Sequence, residues 1–344
     1  MKNSRFAPPL LLGVLFLVLL PMHLLSQQTQ GDSVRLAEPE RQAQLPPPAN
    51  SYPFRYWDKG YFITYTADDT TPNRPAVVLY DRDGRVAREA IVWFKDAAST
   101  AVSDAAVTKS GRLIVSGGTA SPTGVIANFI AEIDNSGHPG RVVRTTPFLP
   151  VYICAAEDGT VWSYGFDRDE KGEGVEGSLI LRQYSFEKGQ LQAMLNKFSL
   201  HSPWSLTRGR YPGDLDLRCT SQKVALFNGA SNEFIELDIP TNTQKVSKVE
   251  PLPTPKEMRI TGFALTESGE VFVSLHDRSS QPPRSGLFRL VSNGSDARSW
   301  APVKDTSGPY LHGARVGQLL GTDGTELIYT RDLDATAYWS RITK

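Results

Sequence analysis

Short apolar runs alternate with tight polar turns along most of this chain, and the turns recur at a fixed spacing. An inner series of turns reads Asp58-Lys59-Gly60, Lys109-Ser110-Gly111, Glu157-Asp158-Gly159, Ser221-Gln222-Lys223, Glu267-Ser268-Gly269 and Thr322-Asp323-Gly324. Between them lies an outer series, Asp81-Arg82-Asp83-Gly84, Asp134-Asn135-Ser136-Gly137, Glu187-Lys188-Gly189, Thr241-Asn242 and Ser292-Asn293-Gly294. Outer positions 84, 137, 189, 242 and 294 are separated by steps of 53, 52, 53 and 52 residues. So regular a period describes an array of like units, none large enough to bury a core alone.

The pieces between turns are rich in β-branched and aromatic residues. Tyr61-Phe62-Ile63-Thr64-Tyr65, Thr160-Val161-Trp162-Ser163-Tyr164 and Glu270-Val271-Phe272-Val273-Ser274 represent the second strand of a unit. Ala76-Val77-Val78-Leu79-Tyr80 and Leu287-Phe288-Arg289-Leu290 represent the third. Their length and flanking turn chemistry predict strands, with Gly, Asn and Asp supplying the positive φ of tight hairpins. No segment of the body shows a helical period. Six four-stranded units predict an all-β, six-bladed β-propeller over residues 51–344, which hides its edges by radial repetition. A two-sheet sandwich and a seven-bladed ring are the alternatives. The sixth unit reaches Lys344 after its third strand, Tyr338-Trp339-Ser340-Arg341. An open edge there calls for a strand from the other terminus. Ser33-Val34-Arg35-Leu36 is the candidate, the alternative being that these residues are part of a tether.

The turn-and-strand pattern, as in Glu157-Asp158-Gly159-Thr160-Val161-Trp162, resembles the broad class of six-bladed β-propellers that includes the NHL-repeat and gluconolactonase-like proteins. The likeness covers roughly residues 51–344. It implies a channel whose ligands sit at the mouth formed by the loops after second and fourth strands, called here the upper face. It also raises lactonase chemistry, although the acidic metal-ligand motif of the lactonase-like enzymes is not found near the start of the domain.

Charge and the N-terminus narrow the setting. Lys+Arg and Asp+Glu both number 37, so no basic face points to nucleic acid. Lys2 and Arg5 precede an apolar run from Pro9 to about Leu25, the form of a secretory signal or an uncleaved anchor over residues 1–27. Either one predicts an exported chain, periplasmic or on the extracytoplasmic side of the membrane, touching lipid only through that segment. Residues 28–50, ending in Pro46-Pro47-Pro48, read as a polar tether.

Candidate chemistry is sparse. Asp68, Asp167, Asp277 and Asp332 each follow a second strand, and Asp104 and Asp214 begin inner strands. Convergence of such carboxylates, for instance Asp68, Asp104, Asp167, Asp214 and Asp332, would create a site for Ca²⁺. The alternative is that each caps its own loop. The acidic stretch from Asp167 to Gly174 fails as a calcium loop, because Lys171 stands at a ligand position. A long insert from about Met194 to Asp214 carries His201, Trp204, Arg208, Arg210 and Tyr211, the side chains usual in recognition surfaces. With Asp277, Arg278 and Arg284 of another upper loop, it forms the expected binding face for a protein, peptide or carbohydrate. No Gly-x-Ser-x-Gly, His-Glu-x-x-His or phosphate-binding glycine loop occurs. These features favour a binding or scaffold module, with a metal-dependent hydrolase or lactonase as the alternative.

Cys154 and Cys219 stand seven and five residues before Val161 and Val224. Both separations are odd, which places the two side chains on the same face of successive blades. Separate buried thiols are expected, a disulfide being the alternative.

Overall fold

The computed structural model describes residues 34–45, 56–65, 75–196, 215–228, 231–250, 258–277, 284–293, 297–304, 316–331 and 335–343. They form 25 strands and their turns. The N-terminal pair is β1 (Arg35–Leu36) and β2 (Arg41–Gln44). Blade 1 holds β3 (Tyr56–Asp58), β4 (Tyr61–Tyr65), β5 (Ala76–Tyr80) and β6 (Val86–Ile91). Blade 2 holds β7 (Ser99–Val107), β8 (Leu113–Ala120), β9 (Ile126–Ile133) and β10 (Pro139–Arg144). Blade 3 holds β11 (Phe148–Ala155), β12 (Val161–Asp167), β13 (Leu179–Ser185) and β14 (Gly189–Asn196). Blade 4 holds β15 (Leu215–Cys219), β16 (Lys223–Asn228), β17 (Glu233–Asp238) and β18 (Thr243–Lys248). Blade 5 holds β19 (Met258–Leu265), β20 (Val271–Asp277), β21 (Arg284–Asn293) and β22 (Ala297–Pro302). Blade 6 is built from β23 (Gln318–Asp323), β24 (Glu326–Thr330) and β25 (Thr336–Thr343), with β1 and β2 both added to β25. Every pairing in these sheets is antiparallel, and the chain is a six-bladed β-propeller.

The apolar runs are continuous because each central strand is covered on both faces. In β8, Leu113 and Val115 pack toward blade 1 while Ile114 packs toward blade 3. The same division in β9 sends Phe129, Ala131 and Ile133 one way and Ile130 the other. Six apolar clusters result, one per joint between neighbouring blades. Each fully buried large side chain contributes about 1.5–3 kcal/mol.

The joints on either side of blade 6 depend on the N-terminal strands. Leu36 lies opposite Ile342 and packs toward blade 5 with Val34, while Ala43 lies opposite Ala337 and packs toward blade 1 with Leu45. Between β1 and β2 the chain steps outward for Ala37 to Glu40, yet the Ala37 and Glu40 N–H groups still donate to Arg341 and Trp339 carbonyls, at 3.0 and 2.9 Å. Arg41 to Gln44 falls inside the segment expected to be a tether, and that reading is corrected: it is a sheet strand. The reason is that an open strand edge selects partners by backbone N–H and C=O groups, which polar residues supply as well as apolar ones. The outer turn of blade 1 then docks on this strand. Arg41 pairs with Asp83, and a Cβ on Gly84, whose φ is +76°, would collide with the Gln44 carbonyl.

A second correction concerns the cysteines. Cys154 and Cys219 are joined in a disulfide across the blade 3/blade 4 joint, with Cα atoms 5.8 Å apart. The parity argument assumed turns of equal length. In blade 3 Ala155 faces Val161 across a Gly-containing turn, and Cys154 faces Trp162. In blade 4 Cys219 itself faces Val224, because the Ser221-Gln222 turn is one residue shorter. The two cysteines are therefore offset by one register position, which turns their side chains toward each other.

Two outcomes follow from this architecture. Leu36→Ala and Leu45→Ala, on different joints, should each cost about 2–5 kcal/mol in urea unfolding, and an unchanged midpoint for either would remove that residue from the closure. Replacing both cysteines by serine should cost about 2–4 kcal/mol. Dithiothreitol should lower the melting temperature of the native chain but not that of the double variant.

Candidate functional site

On the upper face, most residues expected to bind lie outside the described part of the chain: His201, Trp204, Arg208, Arg210, Tyr211 and Arg278, together with Asp68, Asp214 and Asp332. Asp277 and Arg284, expected in a loop, are the terminal residues of β20 and β21 and face each other across the ladder. Backbone pairing extends here through charged positions that an apolar pattern cannot mark. Asp167 is likewise the last residue of β12. Both of its oxygens accept hydrogen bonds from Nη2 of Arg182 on β13, at 2.8 and 2.7 Å, and the guanidinium lies 4.2 Å from the Phe148 ring centre.

Asp104 does not begin an inner strand as expected. It sits in the middle of β7, just past a register shift between Val102 and Asp104. Its side chain is 4% exposed. Oδ2 accepts the Ile153 N–H of blade 3 at 2.9 Å, and Oδ1 accepts the Tyr56 O–H of blade 1 at 3.5 Å. The carboxylate thus staples three blades together. Burial, then the charges of Asp104 and Asp58, push the Tyr56 hydroxyl well above the usual tyrosine range, with Arg218 opposing, so the phenol stays a neutral donor. The Arg218 guanidinium of blade 4 lies 4.4 Å from the Tyr56 ring centre, reaching blade 1 on the far side of the ring.

The acidic stretch from Asp167 to Gly174 closes on itself. Asp169 Oδ1 accepts the Lys171 and Glu173 N–H groups at 2.9 and 2.8 Å. Asp81 and Asp134 hold their outer turns by the same two bonds. The His138 N–H is the first cause that keeps the Asp134 carboxyl below its ordinary range. Such aspartates serve turn geometry. Among the described residues, no group of three or more His, Cys, Asp or Glu side chains is placed to share a metal ion.

Among the described residues, a partly open cavity lies at the other mouth of the channel, ringed by the inner turns of all six blades, with a volume of about 570 Å³. Its acids are Asp58, Glu157, Glu267 and Asp323, and its bases are Lys59, Lys109 and Arg218. Lys109 pairs with Glu157 at 3.3 Å, Asp323 pairs with Arg82, and Lys59 reaches the Ala155 carbonyl of blade 3 while lying 3.7 Å from Asp58. Asp58 Oδ2 also accepts the Val107 N–H at 3.2 Å. These turn residues are conspicuous in the sequence, where their charges read only as turn chemistry. The signal for the cavity is the repeat itself, since equivalent positions of six blades must meet around one axis.

No family model and no curated protein matches this chain. Among solved structures, it is similar to the extracellular domain of a one-component system of B. thetaiotaomicron, with TM-score 0.42 and 11% identity over 83% of this chain. The chain covers only 32% of that structure. It is also similar to a gluconolactonase of Xanthomonas campestris, with TM-score 0.43 and 12% identity over 82% of each chain. A periplasmic gluconolactonase of Pseudomonas aeruginosa gives TM-score 0.42 and 10% identity over 79% of this chain and 75% of its own. At such identities the likeness is one of fold, and the six-bladed assignment stands on this chain's own sheet order.

Proposed function

We propose that the chain is an exported propeller that acts by binding, taking a protein, peptide or carbohydrate on the upper face through the insert around Trp204 and Arg210. The observation that carries this reading is how the described carboxylates near the channel are used. Asp104 is bound by Ile153 and Tyr56, Asp167 by Arg182, and Asp216 by Arg218, so each is engaged by protein donors. A carboxylate held this way is a poor general base and an incomplete metal ligand. Export is supported by the charged-then-apolar N-terminus and by the Cys154–Cys219 bond, which belongs in an oxidising compartment.

Melting after chelation and titration with Ca²⁺, Mg²⁺ and Zn²⁺ should show no saturable rise, and a pH-stat should detect no hydrolysis of glucono-δ-lactone. A specific ligand raises stability by mass action. A rise lost in Asp68→Asn or Asp332→Asn would replace this reading by the metal-dependent hydrolase. On an array of oligosaccharides and peptides, retention by the native chain should disappear in Trp204→Ala/Arg210→Ala with the melting temperature unchanged. Retention indifferent to that pair would move the site off the upper loops.

A further inference from the structure

One wall of the inner-turn cavity belongs to the disulfide. Cys219 lines the cavity beside Thr220, whereas its partner Cys154 is not in the lining. The two ends of the bond therefore stand in different surroundings. Cys154 is 7% exposed and is a member of the apolar cluster of the blade 3/blade 4 joint, with Trp162, Leu181 and Val224. Cys219 is only half-buried and packs against that cluster. The bond thus runs from a cavity wall into the core.

That asymmetry has chemical consequences. A disulfide exchanges when a thiolate attacks one of its sulfurs, and access decides which sulfur is attacked. Cysteines sealed in apolar surroundings are inert, while partly exposed ones react. A partly open cavity of about 570 Å³ has room for a small thiol beside Cys219. The packed cluster around Cys154 has none.

We infer that Cys219 is a site of reversible S-thiolation, taking low-molecular-weight thiols that enter by the inner-turn mouth, whatever binds the upper face. The incoming thiolate sulfur bonds to Cys219 Sγ as the bond between the two Sγ atoms breaks. The electron pair leaves on Cys154 Sγ, which takes a proton from water. A second thiolate attacking the mixed disulfide at the small thiol's sulfur frees Cys219 and releases the small molecule as its own disulfide, so two thiols supply the two electrons. The disulfide form of the same thiol reverses both steps. An adduct on Cys219 stands in the cavity and leaves the apolar cluster around Cys154 packed, so the ring persists. What the exchange removes is the covalent link at the joint with the long connector, residues 197–214.

Incubation of the full chain with reduced glutathione, without denaturant and quenched with iodoacetamide, tests this. Peptide mass mapping should place glutathione on Cys219 and the alkyl group on Cys154, with an unchanged circular dichroism spectrum, and glutathione disulfide should restore the original bond. In the single variants, the Cys219 thiol freed by Cys154→Ser should react with Ellman's reagent about a hundredfold or more faster than the Cys154 thiol freed by Cys219→Ser. The latter should become reactive only when urea unfolds the chain. Glutathione found on Cys154, no adduct until the chain unfolds, or equal protection of the two freed thiols overturns the site. Should a single variant fail to fold, the adduct map of the native chain decides alone.

Discussion

Everything in this molecule depends on apolar contact between blades. No blade is stable alone, since a four-stranded sheet with two apolar faces must have both covered. Blades 2 to 5 obtain that cover from their sequence neighbours. Blade 6 does not, because one of its neighbours is the start of the ring and the strands that pair with its β25 are the N-terminal β1 and β2. The N-terminal strands resolve both deficits at once, with Leu36 and Val34 sealing the joint to blade 5 and Ala43 and Leu45 the joint to blade 1. Alternation of side chains along this segment lets one chain serve two joints, with even positions Val34 and Leu36 on one face and odd positions Ala43 and Leu45 on the other. Closure also makes the fold non-local, since residues near position 40 pair with residues near position 340, and such contacts form late and slowly.

The disulfide bears on the opposite side of the same ring. Counting joints from the closure between blades 6 and 1, the blade 3/blade 4 joint is diametrically across. It is also where the chain makes its longest excursion between blades, over residues 197–214, whereas blades 2 and 3 are separated only by Thr145 to Pro147. A short connector holds neighbours close by covalent reach alone. A long one leaves more chain entropy to be overcome in bringing them together. Joining Cys154 to Cys219 supplies a direct link at that joint, so the covalent restraint is largest where the backbone restrains least.

How much of this could be read from sequence follows from what each feature needs. The blade count and the strand boundaries near turns were legible, because Gly, Asp and Asn at fixed intervals are demanded by backbone geometry and cannot be hidden. Arg41 to Gln44 was not legible, since its place in the sheet is set by an open edge elsewhere and not by its own polarity. The cysteine pairing was lost through a single residue, the shorter Ser221-Gln222 turn, which has no glycine to announce its type and reverses every face assignment that crosses it. Asp104 looked like a channel acid and proved to be a staple, because sequence shows that a carboxylate is present but not which backbone N–H lies beside it. The residues from His201 to Tyr211, expected on the upper face, fall outside the described chain. The inner-turn cavity, by contrast, was spelled out residue by residue in the turns and went unrecognised, since a charged residue in a turn has a sufficient local explanation.

That cavity acquires its character from a general property of rings. Equivalent positions in six blades converge on one axis, so a charge placed in each turn becomes part of a single lining. With one sign throughout, the lining would repel itself and draw counterions without selectivity. With mixed signs, adjacent blades neutralise one another, as Lys109 does Glu157, and only departures from pairing are left to recognise a ligand. Arg218 is matched as well, by Asp216. It rests against Tyr56 from the opposite blade, so its orientation is set by the protein itself. Tyr56 is in turn held by Asp104, and Asp104 by Ile153, which runs the brace through blades 4, 1, 2 and 3. A group held at this many points braces the ring, and a charge already matched by the protein has little left to offer a ligand.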